Sequence, residues 1–272
     1  MAAKNPTGKA MMRASLQLLR QDPQMIWLPV MATITAVICF AVVAGPIALT
    51  FRHSGFGVFL ALLVGGAVST AATVIFNVAL VFAANDRIEG RRPTVGGAMA
   101  QAWGRKGIIF QWAILAAVVG TLIRMLEQRL GLIGRLVGIA GGLAWVVATY
   151  LVIPVLAFED VGPIDAIKRS SSILRARFGT VARSGLRFGV LFGAASVAAA
   201  IILFVGIALI SAGSATLIAG VVVAFLGFAA LMGIGMYSSA AAMYMRTLLY
   251  RFATNQPIPD MGINVASVFT TD

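Results

Sequence analysis

Long apolar stretches without a charged residue alternate with short polar segments along most of the chain. The six stretches are Gln24–Thr50, Phe56–Ala84, Gly107–Ile123, Leu136–Phe158, Phe188–Ser211 and Ala212–Met245. Each has at least the roughly 17 residues that a helix needs to cross the bilayer hydrocarbon. The pattern therefore predicts an all-α polytopic membrane protein with about six transmembrane helices.

The stretches form three similar units, and each unit begins with a short basic segment. The units cover about 6–84, 93–158 and 163–250 of a single integral membrane domain, 1–272, with a tail at 251–272. A proline opens each basic segment, and its missing N–H costs nothing in a first helical turn. We expect three helical hairpins, each preceded by an amphipathic helix in the membrane interface.

The third basic segment separates apolar from charged side chains on a helical wheel. Its apolar arc, about 100° wide, contains Ile164, Ile167, Ser171, Leu174, Phe178 and Val181, with Ile173 outside it. Such a helix either turns its basic face to anionic phosphates or only packs on the ends of the spans. The candidate ligands of lipid headgroups are Lys9, Arg13, Arg20, Arg91, Arg92, Arg105, Lys106, Lys168, Arg169 and Arg175.

Composition and charge agree with a membrane location. Hydrophobic residues make up 60% of the chain and charged residues 11%, whereas about 25% is usual in soluble domains. The net charge of +12 would suggest nucleic acid in a soluble protein, but here basic loops set the orientation. Seventeen Lys and Arg residues fall on one side of the predicted topology and four on the other. We expect a multi-pass protein of a bacterial inner membrane with both termini cytoplasmic, membrane lipids as partners and no nucleic acid.

Glycines spaced four residues apart predict where helices approach one another. Gly134, Gly138 and Gly142 form one such series, and Gly189 and Gly193 form another. In lipid, small residues at this spacing let helix backbones come close. The contacts are either within the chain or between copies in a homo-oligomer.

The spans contain few residues that could carry chemistry. None has Asp, Glu, Lys or Arg in its central turns, and the main polar amides are Asn77 and Gln111. Cys39 and His53 are the only residues of their types, and no phosphate-binding, zinc-protease or serine-hydrolase motif occurs. We expect no catalytic residue, no metal site and no cofactor, and therefore no enzyme.

The most motif-like segment comprises the end of the fourth span and the residues that follow it. Glycine permits turn dihedrals and proline fixes the first turn of a helix, so Gly162 and Pro163 predict a rigid corner. Glu159 and Asp160 would lie by the positive end of the new helix. Pro154, just before, lacks an N–H and is expected to kink the fourth span.

This segment, from Pro154 through Phe158–Ser170, resembles the signature of an uncharacterised family of bacterial integral membrane proteins. That family is similar to the membrane domain of some glycerophosphodiester phosphodiesterases. The opening, Leu18–Pro23 followed by Leu28–Val30, resembles the family too, while Phe178-Gly179 replaces its usual Trp-Gly. The resemblance implies six helices with interfacial segments and no established activity, and it supplies no catalytic residue.

Three functions remain open from the sequence. The first is a non-catalytic inner-membrane protein that organises lipid or partner proteins, as an oligomer or an accessory subunit. The second is a component of a transporter or channel for a lipid or small molecule, which needs a polar pathway. The third, an intramembrane enzyme acting on lipids, needs a cluster of His, Asp and Ser that the sequence does not contain.

Overall fold

The computed structural model describes residues 8–51, 54–129, 131–214 and 216–256. These ranges are helical almost throughout, and no strand occurs within them. The helices are α1 (Gly8–Gln21), α2 (Trp27–Thr50), α3 (Gly55–Ile88), α4 (Val95–Gly104), α5 (Lys106–Arg129), α6 (Gly131–Ala148), α7 (Val152–Phe158), α8 (Pro163–Ser211) and α9 (Leu217–Ala253). Pro6, His53 and the tail 257–272 lie outside the described residues, as does the side chain of Lys9.

Within the described ranges, six helical segments are long and apolar enough to cross a membrane, which confirms the predicted helical membrane class. They are Pro23–Thr50, Gly55–Ile88, Lys106–Met125, Gly138–Phe158, Phe188–Ser211 and Leu217–Ala253. Large apolar side chains such as Phe204 and Ile218 are 70% and 78% exposed. In a membrane these side chains face lipid, so the spans need little contact with one another to bury their apolar surface.

Sequential spans pack against each other: α2 against α3, α5 against α6 and α8 against α9. The α8–α9 pair is closest where Gly206 faces Ala224 and Gly227 faces Leu203. A Cβ on either glycine would collide with the backbone of the facing helix. Glycine is therefore required at both positions for this helix separation.

The most tightly packed part lies at one end of the bundle, where α1, α4, the α7–α8 turn and the C-terminal turns of α3 and α9 meet. We call it the basic end, because the basic segments gather there. Every residue from Leu151 to Ala157 is buried, as are Leu18, Leu19 and Tyr244. The apolar side of α1 thus packs on protein, mainly on α9 and α8.

The third amphipathic segment differs from the expectation because it is not a separate helix. It continues into the fifth span as a single helix, α8, since no proline follows Pro163 to interrupt its hydrogen bonds. Within the predicted apolar arc Leu174 is buried and Ile164 is 61% exposed, and Ile173, which lay outside the arc, is buried too. The buried side follows Ala166 and Ser170, whose small side chains let α8 lie close to α7.

Candidate functional site

A break between α6 and α7 sets the position of the fourth span against α8. The Pro154 ring is incompatible with a regular helix at the preceding turn, and α6 ends at Ala148. The break leaves the Leu151 N–H without a helical partner, and it donates to the buried Ser170 Oγ at 3.1 Å. Residues on either side of the α7–α8 turn thereby hold one another in place.

Glu159 connects three helices at the basic end. It caps the C-terminus of α7, and its carboxylate accepts hydrogen bonds from the Arg169 Nε of α8 at 3.0 and 3.2 Å. The Tyr250 hydroxyl of α9 donates to the same carboxylate at 2.9 Å. The hydrogen bond that Arg169 donates to Glu159 also raises the pKa of the Arg169 guanidinium.

The other residues of the predicted corner have simpler roles. Pro163 is the first residue of α8, and the exposed Asp160 pairs with Arg105 at 2.9 Å. Gly162 has a φ of −65°, which any residue adopts, and space is open around it. The predicted reason for a glycine at 162, an unusual backbone conformation, is therefore wrong.

A second group of ion pairs ties the end of α3 to the start of the first span and to the end of α9. Arg87 binds the Asp22 carboxylate through two nitrogens, and only 5% of the Asp22 side chain is exposed. The Arg251 Nη1 donates to Glu89 at 2.9 Å and also to Asn85. Hydrogen bonds from Arg251 and then Arg91 hold the pKa of Glu89 below its usual value.

Sequence reasoning missed this second group because it counted Arg87 and Arg251 only as charges that orient the loops. The available signal was a set of acidic and amide residues at the start of the first span and the end of the second, at Asp22, Asn85 and Glu89. Which of these residues pairs with which arginine depends on contacts between residues that are distant in sequence. Periodicity along the chain cannot supply that information.

The candidate headgroup ligands divide into paired and unpaired side chains. Arg91, Arg105, Lys168 and Arg169 form ion pairs with acidic residues of the chain, and Lys106 lies 5.5 Å from the Trp103 ring. Four exposed ones have no ion-pair or hydrogen-bond partner within the described ranges: Arg13, Arg20, Arg92 and Arg175. These four are the side chains free to bind an external anion.

Arg175 borders a cavity of about 510 Å³ between α6 and α8, which we call the Arg175 cavity. Its lining is almost entirely apolar and comprises Leu143, Ala144, Val147, Ala148, Ser171, Leu174 and Arg175. Ser171 and Arg175 are four residues apart, so they lie on one face of α8. Neither has a side-chain partner among the described residues.

A second cavity, of about 310 Å³, lies between α2, α3 and α9, and we call it the Asn77 cavity. Its lining combines polar and apolar side chains: Pro29, Ala32, Thr33, Thr73, Asn77, Met232, Gly235, Met236 and Ser239. The structure thus brings Asn77, one of the two amides noted in the sequence, together with hydroxyls from three helices. Gln111, the other amide, is exposed.

The glycines predicted to pack helices are not those at the closest contacts within the chain. A Cβ at Gly142, Gly189 or Gly193 would meet nothing within 4 Å. Gly138 is buried, and the surroundings of Gly134 lie outside the described residues. Contact between copies through Gly142, Gly189 and Gly193 stays a prediction.

The described ranges contain no group of three His, Cys, Asp or Glu side chains placed to hold a metal ion. The polar chemistry of the basic end consists instead of ion pairs that join helices and of free arginines at its surface. Beside these groups, one cavity has an arginine at its edge and another has neutral polar groups in its lining.

Comparison with known proteins gives a family and no function. No curated protein matches the chain. Residues 54–257, which include five of the six spans and the whole motif-like segment, match a family of unknown function, DUF6159. The chain belongs to the family of unknown function DUF6159.

Proposed function

We propose that this protein is a non-catalytic membrane protein that holds anionic phospholipid at its basic end and so organises lipid around itself or its partners. The observation that carries the proposal is the Arg175 cavity, an apolar space of about 510 Å³ with one unpaired guanidinium at its edge. A phospholipid has the matching form, an acyl chain joined to a phosphate. Arginine binds phosphate oxygens through several N–H groups at once.

The position of the two polar side chains beside an apolar surface supports a phospholipid rather than a free inorganic anion. Ser171 and Arg175 lie one turn apart at one side of the lining, so a hydroxyl donor and a guanidinium can reach one phosphate. The apolar remainder, with Leu143 and Val147 on α6, can receive an acyl chain. A free inorganic anion would make no use of this apolar surface.

The unpaired arginines elsewhere at the basic end add a weaker, less specific attraction. Arg13, Arg20 and Arg92 are exposed and lack partners in the described part of the chain. Each basic side chain near an anionic surface contributes about 1 kcal/mol. They supply general affinity for an anionic leaflet, and the Arg175 cavity supplies a site for a single lipid.

The basic end then faces the cytoplasm of a bacterium, as the positive charge bias of the loops indicates. Residues 154–170 resemble the signature of a family that is itself expected to be similar to the membrane domain of some glycerophosphodiester phosphodiesterases, and a role beside lipid agrees with that expectation. The uncovered face at Gly189 and Gly193 is suited to a second copy of the chain or to a partner span.

The proposal is tested by quantifying the phospholipid that remains after purification in a mild detergent. Arg175→Gln should lower the ratio of phosphatidylglycerol to phosphatidylethanolamine bound per chain. Lys168→Gln is the matched control, because it removes the same charge from the same helix but from a side chain already paired with Asp165. An equal loss in both variants, or none in either, would contradict a site at Arg175.

The alternative function, a component of a transporter or channel, is favoured by one observation, the polar lining of the Asn77 cavity. Transporters place their substrate sites near the bilayer midplane, between helical units. A cavity that holds one ligand does not by itself carry that ligand across the membrane.

A further inference from the structure

The Asn77 cavity lies near the middle of the membrane. Asn77 precedes Arg87 of the basic end by ten residues on α3, and Ser239 precedes Arg251 by twelve on α9. At 1.5 Å per residue these separations correspond to about 15 and 18 Å along the helices. With a hydrocarbon core about 30 Å thick, the cavity is close to the midplane.

Two polar side chains of this cavity lack partners. In the described part of the chain, neither the Asn77 amide nor the Ser239 hydroxyl has a hydrogen-bond partner. Thr33 and Thr73 differ, because each donates to a carbonyl of its own helix, Pro29 and Ser69 respectively. An amide without a partner in hydrocarbon costs several kcal/mol, so Asn77 and Ser239 need a partner from outside the chain.

The available groups define the chemistry of that partner. Asn77 offers two N–H donors and one carbonyl acceptor, and Ser239 offers one donor and an acceptor. The threonine hydroxyls have already used their protons and can only accept. A hydroxyl group, which both donates and accepts, satisfies this set.

The lining also excludes a charged ligand. Its residues include no Asp, Glu, Lys, Arg or His, so an ion at this depth would have no counter-ion. Thr33, Met232 and Gly235 are exposed, so the cavity opens sideways toward lipid and not only along the bundle. A ligand that enters from the bilayer must itself be largely apolar.

The size of the cavity leaves room for an alkyl chain and excludes a helix. Its volume of about 310 Å³ holds roughly ten water-sized groups at about 30 Å³ each. Met232 and Met236 have flexible side chains that adapt to an alkyl chain. A whole helix would be too large for this space.

From these features we infer that the Asn77 cavity binds a neutral amphiphile of the fatty-alcohol class, with its hydroxyl on Asn77 and Ser239 and its alkyl chain along Met232 and Met236. The site does not involve the Arg175 cavity, and it takes no phosphate. The inference is therefore independent of the proposed phospholipid site.

The test is photolabelling of the intact protein in phosphatidylcholine nanodiscs. The probes are a twelve-carbon alcohol that carries a diazirine and the matching diazirine alkane without the hydroxyl. The alcohol should label peptides of α2, α3 and α9 several-fold more than the alkane, and unlabelled dodecanol should compete. Asn77→Leu and Ser239→Ala should each lower labelling by the alcohol about fivefold, the effect of one buried hydrogen bond.

A cavity-filling variant keeps the test decisive if Asn77→Leu fails to fold. A Cβ at Gly235 meets nothing within 4 Å, so Gly235→Leu places a side chain in the cavity without backbone collision and should abolish labelling. Gly233→Leu is the control on the same helix, because Gly233 is equally open and does not line the cavity. Equal labelling by alcohol and alkane, or full labelling of Gly235→Leu, would overturn the inference. Arg175→Gln should leave labelling unchanged.

Discussion

Arg251 of α9 and Glu89, at the end of α3, are joined by a hydrogen bond of 2.9 Å, although 162 positions separate them in sequence. Only 5% of the Arg251 side chain is exposed. The neighbouring Arg87 binds Asp22 in the same way, so the last turn of α3 holds the start of the first span and the end of the last. These pairs should account for much of the stability of the basic end.

Removal of the Asp22 charge should destabilise the protein strongly. Asp22→Asn leaves Arg87 partly buried without its counter-ion, and loss of one partner from a buried pair costs about 3–5 kcal/mol. Asp165→Asn is the control, since its pair with Lys168 is exposed on both sides and should be worth under about 1 kcal/mol. Thermal unfolding in detergent measures the difference, and similar midpoints for the two variants would argue against a structural role for Asp22.

Stability should depend on the protonation of Glu89. Its pKa in the folded protein lies below the ordinary value of 4.5, because Arg251 and Arg91 bind the charged form. The stabilisation is therefore complete above pH 4.5 and is lost as the pH falls through the lower folded pKa. Glu89→Gln should flatten the decline of the unfolding midpoint between pH 5 and pH 3, and an unchanged decline would exclude this contribution.

Ser170→Ala should destabilise the contact between α7 and α8. The variant leaves the buried Leu151 N–H without its acceptor, at a cost of about 1–3 kcal/mol. Ser172→Ala provides the control, because Ser172 is exposed and bonds only to the Arg169 carbonyl of its own helix. If the two variants unfold at the same temperature, the Ser170 hydrogen bond contributes nothing.

Glycines of α8 should differ in their tolerance of a side chain. Gly206→Leu should separate α8 from α9 and lower the unfolding temperature, since Ala224 leaves no room for a Cβ. Gly189→Leu should leave the monomer intact, because its surroundings are open. If Gly189 contacts a second chain, the same variant should also reduce the oligomer mass in native mass spectrometry.

Orientation can be measured with introduced cysteines in a Cys39→Ser background. Ser54 lies between the first two spans, whereas the exposed Ser172 lies on α8 toward the basic end. A membrane-impermeant thiol reagent added to whole cells should modify Ser54→Cys and spare Ser172→Cys. Labelling in the opposite order would place the basic end outside the cell.

The spans followed from the sequence because hydropathy is a local property. The predicted stretch Gln24–Thr50 differs by one residue from the segment Pro23–Thr50, and α8 begins at the predicted Pro163. Single residues of the candidate sites could also be identified in the sequence. Arg175 stood out as a base on an amphipathic face, and Asn77 as an amide within a span.

The composition of the two cavities and the buried face of α8 could not be predicted, because they depend on contacts between distant parts of the chain. Leu143 and Val147 acquire a role only when α6 packs beside Arg175, and Ser239 only when α9 meets Asn77. The helical wheel placed Ile173 outside the apolar arc, although Ile173 is buried, because a wheel considers one helix without its neighbours. Small residues such as Ala166 and Ser170 decide which face of α8 comes close to α7.

The central claim, a phospholipid site at Arg175, is tested most directly by titrating delipidated protein with phosphatidylglycerol and resolving each bound lipid by native mass spectrometry. The first lipid should bind the wild type about fivefold more tightly than Arg175→Gln, which corresponds to about 1 kcal/mol. Ala144→Leu, which narrows the cavity, should weaken the same step, and Lys168→Gln should not. Identical first-step affinities for wild type, Arg175→Gln and Ala144→Leu would contradict the claim.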